Sequence, residues 1–307
     1  MPEPLSIDVV LLSIIYATAI VLSIAASIYL LLRRTNIIAP GVTPPLRLRR
    51  WTGLFFAFLA LSHLWYLPAG ACSSEEARTM AMLIGALLDS ITIYPTAIII
   101  PLCMLQDQRR PLWPVVVAEA PLVIMILVCI ATCSYVLRPY FYAYLLLFFT
   151  GLTVYMVRAL KQYRRWLRDN YADLEDKNVW QNFVAFAAIL LMFGLYNSGI
   201  GVTYEIIIQT AEILLICYLL WHVETLNCLT PTATPEETEE DTKDDIEELL
   251  RENCEATQLY LQHDLTVTQL AQTIGINRAL LSKYFSRQAT SYNNYINTLR
   301  IKHFISL

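Results

Sequence analysis

"VVLLSIIYATAIVLSIAASIYLLL", Val9–Leu32, is an unbroken apolar stretch that ends directly before Arg33 and Arg34. At about 1.5 Å per residue, a helix of this length crosses the roughly 30 Å hydrocarbon core of a bilayer. The preceding "MPEPLSID" contains no basic residue, so we expect a retained span rather than a cleaved leader. The stretch therefore predicts a membrane protein.

Further apolar stretches of spanning length follow, and they predict an all-α protein built on a seven-helix transmembrane bundle. The predicted spans are Val9–Leu32, Trp51–Pro68, Met80–Leu105, Trp113–Val136, Tyr140–Val157, Val179–Tyr196 and Val202–Val223. The composition agrees, because 56% of the 307 residues are hydrophobic and only 16% are charged. Soluble domains average about 25% charged residues.

Basic residues are distributed unevenly between the predicted loops. The loops after the first, third and fifth spans hold 13 of them: Arg33, Arg34, Arg47, Arg49, Arg50, Arg109, Arg110, Arg158, Lys161, Arg164, Arg165, Arg168 and Lys177. The alternate loops hold only Arg78 and Arg138. Because basic loops stay in the cytoplasm, we expect a multi-pass protein of the inner (plasma) membrane with its N-terminus outside and its C-terminal segment cytoplasmic.

The chain divides into three predicted segments. Residues 1–227 form the transmembrane domain, residues 228–245 an acidic flexible linker, and residues 246–307 a small cytoplasmic helical domain. The linker contains "TPTATPEETEEDTKDD", whose Thr, Pro and Glu residues cannot bury a core. The last segment is basic from Ala256 onwards, so we expect the acidic linker and the small domain to have different roles.

"LTVTQLAQTIGINRALLSKYF", Leu265–Phe285, predicts two short helices joined by a glycine turn. Thr266 is placed to cap the first helix, with Gln269 three residues later as the second member of a capping box. Gly275 supplies the left-handed residue of the turn. The apolar residues expected to face inward are Leu270, Ala271, Ile274, Ile276, Leu281 and Phe285.

The outer face of the second predicted helix carries the candidate DNA-binding residues Arg278, Ser282, Lys283, Ser286 and Arg287. A helix in the major groove uses short polar and basic side chains to contact base edges and phosphates. Arg278 and Ser282 are placed for bases, while Lys283 and Arg287 are placed for phosphates. The alternative interpretation is a solvated basic face on a small helical bundle.

The same stretch, together with "YINTLRIKHFISL", resembles the first half of an AraC-type DNA-binding domain. The matching residues are, in order, Leu265, Thr266, Ala271, Gly275, Leu281, Ser282, Phe285 and Tyr295–Ile301. The whole chain resembles bacterial regulators that join several membrane spans to such a domain, and "RDNYADLEDKNVW", Arg168–Trp180, is similar to a cytoplasmic segment of that group. The resemblance implies DNA as a partner and a homodimer on DNA.

Two features depart from the family pattern. The glycine that usually precedes the Tyr292–Tyr295 region is replaced here by Gln288–Thr290. The family carries two helix-turn-helix units joined by a long helix, which would begin here around Ser291, but the sequence ends at Leu307 before a second unit. We therefore expect a truncated chain or a natural half-domain, and weak, salt-sensitive DNA binding by one unit.

Five ionisable residues within the predicted spans are candidates for sensing: His63, Asp89, Glu119, Glu205 and Glu212. Each is costly in a bilayer, by about 2.5–3.5 kcal/mol for a charged residue at mid-helix. One hypothesis is a polar cavity that binds a small ligand or a proton. The other is that these residues pair across helices and only fix their packing.

Several chemistries have no matching motif in the sequence. The last predicted span has no lysine for a retinal Schiff base, and there is no H-E-x-x-H, no G-x-S-x-G and no C-x-x-C. We therefore expect no enzyme activity, no catalytic residue, no metal site and no cofactor. Cys72 and Cys133, in or beside predicted outer loops, form either a disulfide or two isolated thiols.

The function predicted from these observations is a membrane-anchored one-component transcription regulator. Its partners are the lipid bilayer, DNA, and an unknown small ligand or proton as the signal. The alternatives are a transporter-like protein, and a transmembrane receptor whose terminal helical unit is a protein-docking module. Paired inverted repeats would favour a transporter, but the prolines of the third and fourth spans are adjacent rather than related across two halves.

Overall fold

The computed structural model describes residues 7–33, 36–40, 42, 44–171, 179–196, 201–226, 228, 243–276, 278–288 and 290–307. Over these residues the chain is helical and contains no strand, apart from an isolated antiparallel bridge between Tyr171 and Thr266. The helices are α1 Ile7–Leu32, α2 Leu46–Trp65, α3 Leu67–Ala71, α4 Glu75–Met104, α5 Trp113–Ala131, α6 Arg138–Asn170, α7 Val179–Tyr196, α8 Val202–Thr225, α9 Lys243–Leu250, α10 Val267–Ile274, α11 Arg278–Arg287 and α12 Tyr292–Ser306.

Six helical segments of the described chain are long and apolar enough to cross a membrane. They are Ile7–Leu32, Leu46–Ala71, Glu75–Met104, Trp113–Ala131, Arg138–Asn170 and Val202–Thr225. The predicted membrane character is thus confirmed, and six of the predicted spans correspond to these segments. Helix α7 contains only a shorter apolar segment, Gln181–Met192, so the predicted span Val179–Tyr196, the sixth in chain order, stays a prediction.

The chain forms two compact units. Unit 1 contains Met1–Met156 and Trp180–Leu229, and unit 2 contains Val157–Val179 and Thr230–Leu307. Unit 2 therefore includes the end of α6, which falls within the predicted transmembrane domain, residues 1–227. Most of the predicted acidic linker, residues 229–242, lies outside the described residues.

Unit 1 has an apolar core and an apolar exterior. Its core contains the fully buried side chains of Phe56, Ile100, Met104, Leu122 and Leu219, which belong to α2, α4, α5 and α8. Many large apolar side chains are also exposed, among them Val21, Leu61, Leu146, Leu191 and Leu214. Such an extensive apolar surface is unfavourable in water and suits the hydrocarbon of a bilayer.

Two of the arginines assigned to cytoplasmic loops are buried in unit 1. Arg49 lies in α2 and is 3% exposed, with its Nη1 3.5 Å from Oε1 of Glu224. Arg110 is 5% exposed and its Nη1 lies 2.7 Å from Oδ1 of Asp107. These two arginines are therefore paired with buried carboxylates inside the protein, because a buried charge without a partner is strongly unfavourable.

The basic segment after the fifth predicted span is helical as far as Asn170, whereas the sequence predicts a loop there. Helix α6 continues to Asn170, and its 33 residues correspond to about 50 Å, well beyond the hydrocarbon thickness. Its extension buries Leu160, Tyr163 and Leu167, which recur at helical spacing, while the arginines between them are exposed. Arginine and lysine are good helix formers, so the basic composition does not end the helix.

Candidate functional site

Helices α10 and α11 of unit 2 are joined as the sequence predicts. Oγ1 of Thr266 accepts a hydrogen bond from the backbone N–H of Gln269 at 3.1 Å, and Oε1 of Gln269 accepts one from the N–H of Thr266 at 2.8 Å. This is the predicted capping box. Gly275 has a φ of 78°, so the predicted left-handed turn residue is also confirmed.

The apolar faces of the two helices meet in a common core. The buried residues of this core include Leu270, Ala271, Ile274, Leu281 and Phe285, which confirms the predicted inward-facing set. Ile276 packs against it while remaining partly exposed. Tyr292 and Ile296 of α12 complete the core, and the Tyr292 hydroxyl donates a hydrogen bond to the carbonyl oxygen of Leu265 at 3.1 Å.

The five candidate DNA-binding residues all belong to α11, but they differ in environment. Arg287 is exposed, and Ser282 is half-buried. The side chains of Lys283 and Ser286 lie outside the described part of the structure. Arg278 differs from the expectation of an outward-facing residue, because it is half-buried.

Arg278 is held by the end of helix α6. Its Nη2 donates a short hydrogen bond to Oδ1 of Asn170, while its Nε is buried without a hydrogen-bond acceptor. Burial lowers the pKa of Arg278 from its usual value because the charged guanidinium loses solvent there. The side chain predicted to contact bases is thus occupied by a contact within unit 2.

Tyr171, the residue after Asn170, contacts two other parts of unit 2. The backbone of Tyr171 forms the bridge to Thr266, at the start of α10, and its carbonyl oxygen accepts a hydrogen bond from Nδ2 of Asn293 at 3.2 Å. The Trp166 ring packs edge-on against the Tyr171 ring, with 5.8 Å between the centroids. Asn170 and Tyr171 were not among the predicted site residues.

Unit 1 contains a cavity of about 690 Å³ that gathers four of the five predicted sensing residues. His63, Asp89, Glu205 and Glu212 all line it, although they come from α2, α4 and α8. Glu119 is the exception. It is buried, one of its carboxyl oxygens has no hydrogen-bond partner, and it does not line the cavity.

His63 and Glu212 form one polar group in the cavity wall. Nδ1 of His63 lies 2.8 Å from the carbonyl oxygen of Leu59, and its Nε2 lies 3.0 Å from Oε1 of Gln209. Oε1 of Glu212 is 3.5 Å from the same Nε2 but makes no hydrogen bond. The Tyr16 ring stands edge-on to the imidazole, with 4.6 Å between the centroids.

Asp89 forms a second polar group in the same cavity. Its two oxygens accept hydrogen bonds from Nε1 of Trp65 at 3.1 Å and from the hydroxyl of Tyr66 at 2.6 Å. Gly85, one turn before Asp89, allows this arrangement. A Cβ at this position would lie 2.4 Å from Cε1 of the Tyr66 ring, so any side chain there would displace the ring.

The described residues contain no group of three or more His, Cys, Asp or Glu side chains placed to hold a metal ion. Of the two hypotheses for Cys72 and Cys133, the structure has the isolated thiols, since both are free.

No protein-family model matches the chain, and no curated protein or solved structure is significantly similar to it.

Proposed function

We propose that this protein is a membrane-anchored transcription regulator whose unit 2 binds DNA through α11. The observation that carries the proposal is the geometry of α10 and α11, with a capping box, a left-handed Gly275 and buried apolar faces. This geometry fits a helix-turn-helix of the AraC type, in which the second helix enters the major groove. The exposed Arg287 and the half-buried Ser282 both lie on that helix.

The proposal includes a way for the membrane unit to control DNA binding. Helix α6 contributes residues to both units, and its last residue, Asn170, binds the Arg278 side chain. In the form described here, Arg278 is engaged by Asn170 instead of being available to a base. A signal in unit 1 that shifts α6 would release Arg278 from Asn170. The difference in free energy between the bound and the released arrangement of Arg278 would then set how much of the protein binds DNA.

DNA selection with the full-length protein tests the proposal. The protein in lipid nanodiscs is incubated with a random duplex library, and the bound duplexes are sequenced over several rounds. We expect a short enriched sequence. Ser282→Ala then relaxes the preference at one base position and costs about 1–3 kcal/mol on the selected duplex, while Arg287→Ala weakens binding to all duplexes and lowers the salt slope by about one.

A matched control is available on the same unit. Arg251 has a side chain that is 73% exposed and forms an exposed i,i+3 pair with Glu248. Arg251→Ala removes the same charge as Arg287→Ala but lies outside α11, so DNA affinity should stay within twofold of the parent protein. A library in which no sequence is enriched, or equal losses in both arginine variants, would contradict the proposed role of α11.

A protein-docking module is the second candidate, and one feature of α12 favours it. The end of this helix and the residue that follows it expose the large apolar side chains of Ile301, Phe304, Ile305 and Leu307. The double variant Arg278→Ala, Ser282→Ala separates the two functions. Loss of both DNA binding and cellular output, with membrane insertion intact, supports regulation, whereas an intact cellular output from a variant that binds no DNA supports docking.

A further inference from the structure

We propose that the cavity of unit 1 binds a small organic cation, such as a protonated amine with an apolar body. The inference deepens the proposed function, since it names the chemical class of the signal. It rests on three properties of the cavity: the balance of charge on its walls, the character of its apolar surface, and its size.

The charged side chains of the cavity favour a cation. Asp89, Glu205 and Glu212 contribute three carboxyl groups, against one arginine, Arg138, and the imidazole of His63. The guanidinium of Arg138 lies over the Tyr142 ring, 5.5 Å from its centroid, and is exposed to solvent. In a bilayer, carboxyl groups in excess of cations are costly when ionised, and either a proton or a bound cation compensates their charge.

Two of these carboxyl groups are arranged to receive a positively charged donor. The hydrogen bonds to Asp89 from Trp65 and Tyr66 come from neutral groups and hold its two carboxyl oxygens in place. Glu212 is 6% exposed, lines the cavity, and keeps its Oε1 without a hydrogen bond. An ammonium group would give that oxygen the donor that it lacks.

The remaining wall suits the apolar part of such a ligand and its charge. Eight of the lining side chains are phenylalanine or tyrosine, among them Tyr16 beside His63 and Tyr66 beside Asp89. Aromatic faces attract cations, and organic ammonium groups are often bound by carboxylates among aromatic rings. A metal ion would need at least three clustered donors, and no such cluster occurs among the described residues.

The volume of about 690 Å³ falls within the range of about 300–1,000 Å³ that is usual for sites of small organic molecules. A bare proton or a single inorganic ion would leave most of this space empty. The cavity therefore fits a molecule that pairs one positive charge with an apolar framework.

Three probes of nearly equal shape test the charge preference directly: 4-phenylbutylammonium, 4-phenylbutanol and 4-phenylbutyrate. Their binding to the full-length protein in nanodiscs is measured by isothermal titration calorimetry at neutral pH, with tetraethylammonium as a second cation. We expect one or both cations to bind at least tenfold more tightly than the alcohol, and the carboxylate not to bind. Equal binding of the alcohol or the carboxylate would overturn the proposal, as would the absence of binding by both cations.

Substitutions then assign the binding to this cavity. Asp89→Asn and Glu212→Gln preserve shape and remove one charge each, so each should weaken cation binding by about tenfold or more. Glu119→Gln is the matched control, a buried membrane glutamate outside the cavity, and should bind the cation as the parent protein does. A loss as large in Glu119→Gln, or unchanged affinity in both cavity variants, would overturn the assignment. Since DNA is absent from this assay, failure of the proposed regulation would leave its result unchanged.

Discussion

Gly85 makes room for the ring of Tyr66, which lines the cavity. We expect Gly85→Ala to lower the stability of unit 1 by about 1–3 kcal/mol, because the new Cβ would overlap the Tyr66 ring and disturb its hydrogen bond to Asp89. The measurement is the thermal unfolding midpoint of the purified protein in detergent.

Gly151 provides the control for this substitution. It lies in helix α6, and a Cβ added there would meet no atom within 4 Å. Alanine is the better helix former by up to about 1 kcal/mol, so Gly151→Ala should leave the midpoint unchanged or raise it slightly. If both alanine variants have the same unfolding midpoint, then close packing of Tyr66 against Gly85 does not determine which residues are tolerated at position 85.

The buried pair of Arg49 and Glu224 is a second site of large expected effect. Oε2 of Glu224 accepts hydrogen bonds from the backbone N–H groups of Ile37 and Ile38, both at 2.9 Å, and Nη1 of Arg49 donates to Oδ1 of Asn36 at 2.8 Å. Removing one charge leaves the other buried and unpaired, so Arg49→Met should destabilise the protein by about 3–5 kcal/mol.

The exposed pair of Arg78 and Glu75 gives the comparison for that prediction. Its side chains are 52% and 80% exposed, at an Nη1 to Oε2 distance of 3.2 Å. Arg78→Met should change the stability by no more than about 1 kcal/mol in chemical denaturation of the detergent-solubilised protein. Similar denaturation midpoints for the two methionine variants would mean that the buried pair of Arg49 and Glu224 contributes no more to stability than the exposed pair.

At the scale of elements, local features could be predicted from the sequence and long-range ones could not. The capping box at Thr266 and the left-handed Gly275 depend on residues within four positions of one another, so their pattern is visible in the sequence. The contact between Asn170 and Arg278 joins residues 108 positions apart. Nothing in the residue type of Asn170 distinguishes it from a surface asparagine.

The extension of α6 shows why a loop is predicted where the structure has a helix. Its arginines identify a segment outside the bilayer, which is usually a loop in a membrane protein. The spacing of Leu160, Tyr163 and Leu167 is the signal that could have revealed an amphipathic helix. This signal is short, and the core that those residues pack against lies elsewhere in the sequence.

The contact of α6 with Arg278 leads to a prediction with opposite signs for two substitutions. Asn170→Ala removes the hydrogen-bond acceptor and should raise affinity for the selected duplex about tenfold, since a hydrogen bond to a charged group contributes about 1.5–3 kcal/mol. Asn170→Asp replaces the acceptor by a carboxylate, binds Arg278 more firmly, and should lower the affinity. Both are measured by fluorescence anisotropy with the full-length protein.

Gln162→Ala serves as the control, because it also removes an amide from α6, at an exposed position. It should bind DNA as the parent protein does. Both substitutions at Asn170 also remove its hydrogen bond to the Trp166 carbonyl oxygen. If Asn170→Ala and Asn170→Asp shifted the DNA affinity in the same direction, this shared loss would explain the shift, and the proposal that Asn170 holds Arg278 away from DNA would be wrong.

At the scale of the whole molecule, the sequence names the sensing candidates but not which of them meet. His63 and Glu212 are separated by 149 positions and lie 3.5 Å apart, Nε2 to Oε1. Glu119 has the same chemistry and a similar degree of burial, yet lies outside the cavity lining. Which acidic residues share a cavity depends on how the helices rotate and pack, and that arrangement is a property of the assembled bundle.

The division into units also bears on the number of membrane crossings. Unit 2 combines Val157–Val179 with Thr230–Leu307, and Tyr171 contacts both Thr266 and Asn293. If unit 2 lies outside the bilayer, its two segments lie on the same side of the membrane. The chain between them must then cross an even number of times, so if α8 spans, α7 spans as well.

We therefore expect seven crossings in the cell, with the N-terminus and unit 2 on opposite sides. Helix α7 has 18 residues, about 27 Å, which is at the lower end of what a span requires. Alkaline phosphatase, active only outside the cytoplasm, should be inactive when fused after Leu307 and active when fused after Ser73. A fluorescent protein that matures only in the cytoplasm should give the reverse pattern. Equal phosphatase activity at both positions would mean that α7 does not cross, and unit 2 could then not reach DNA.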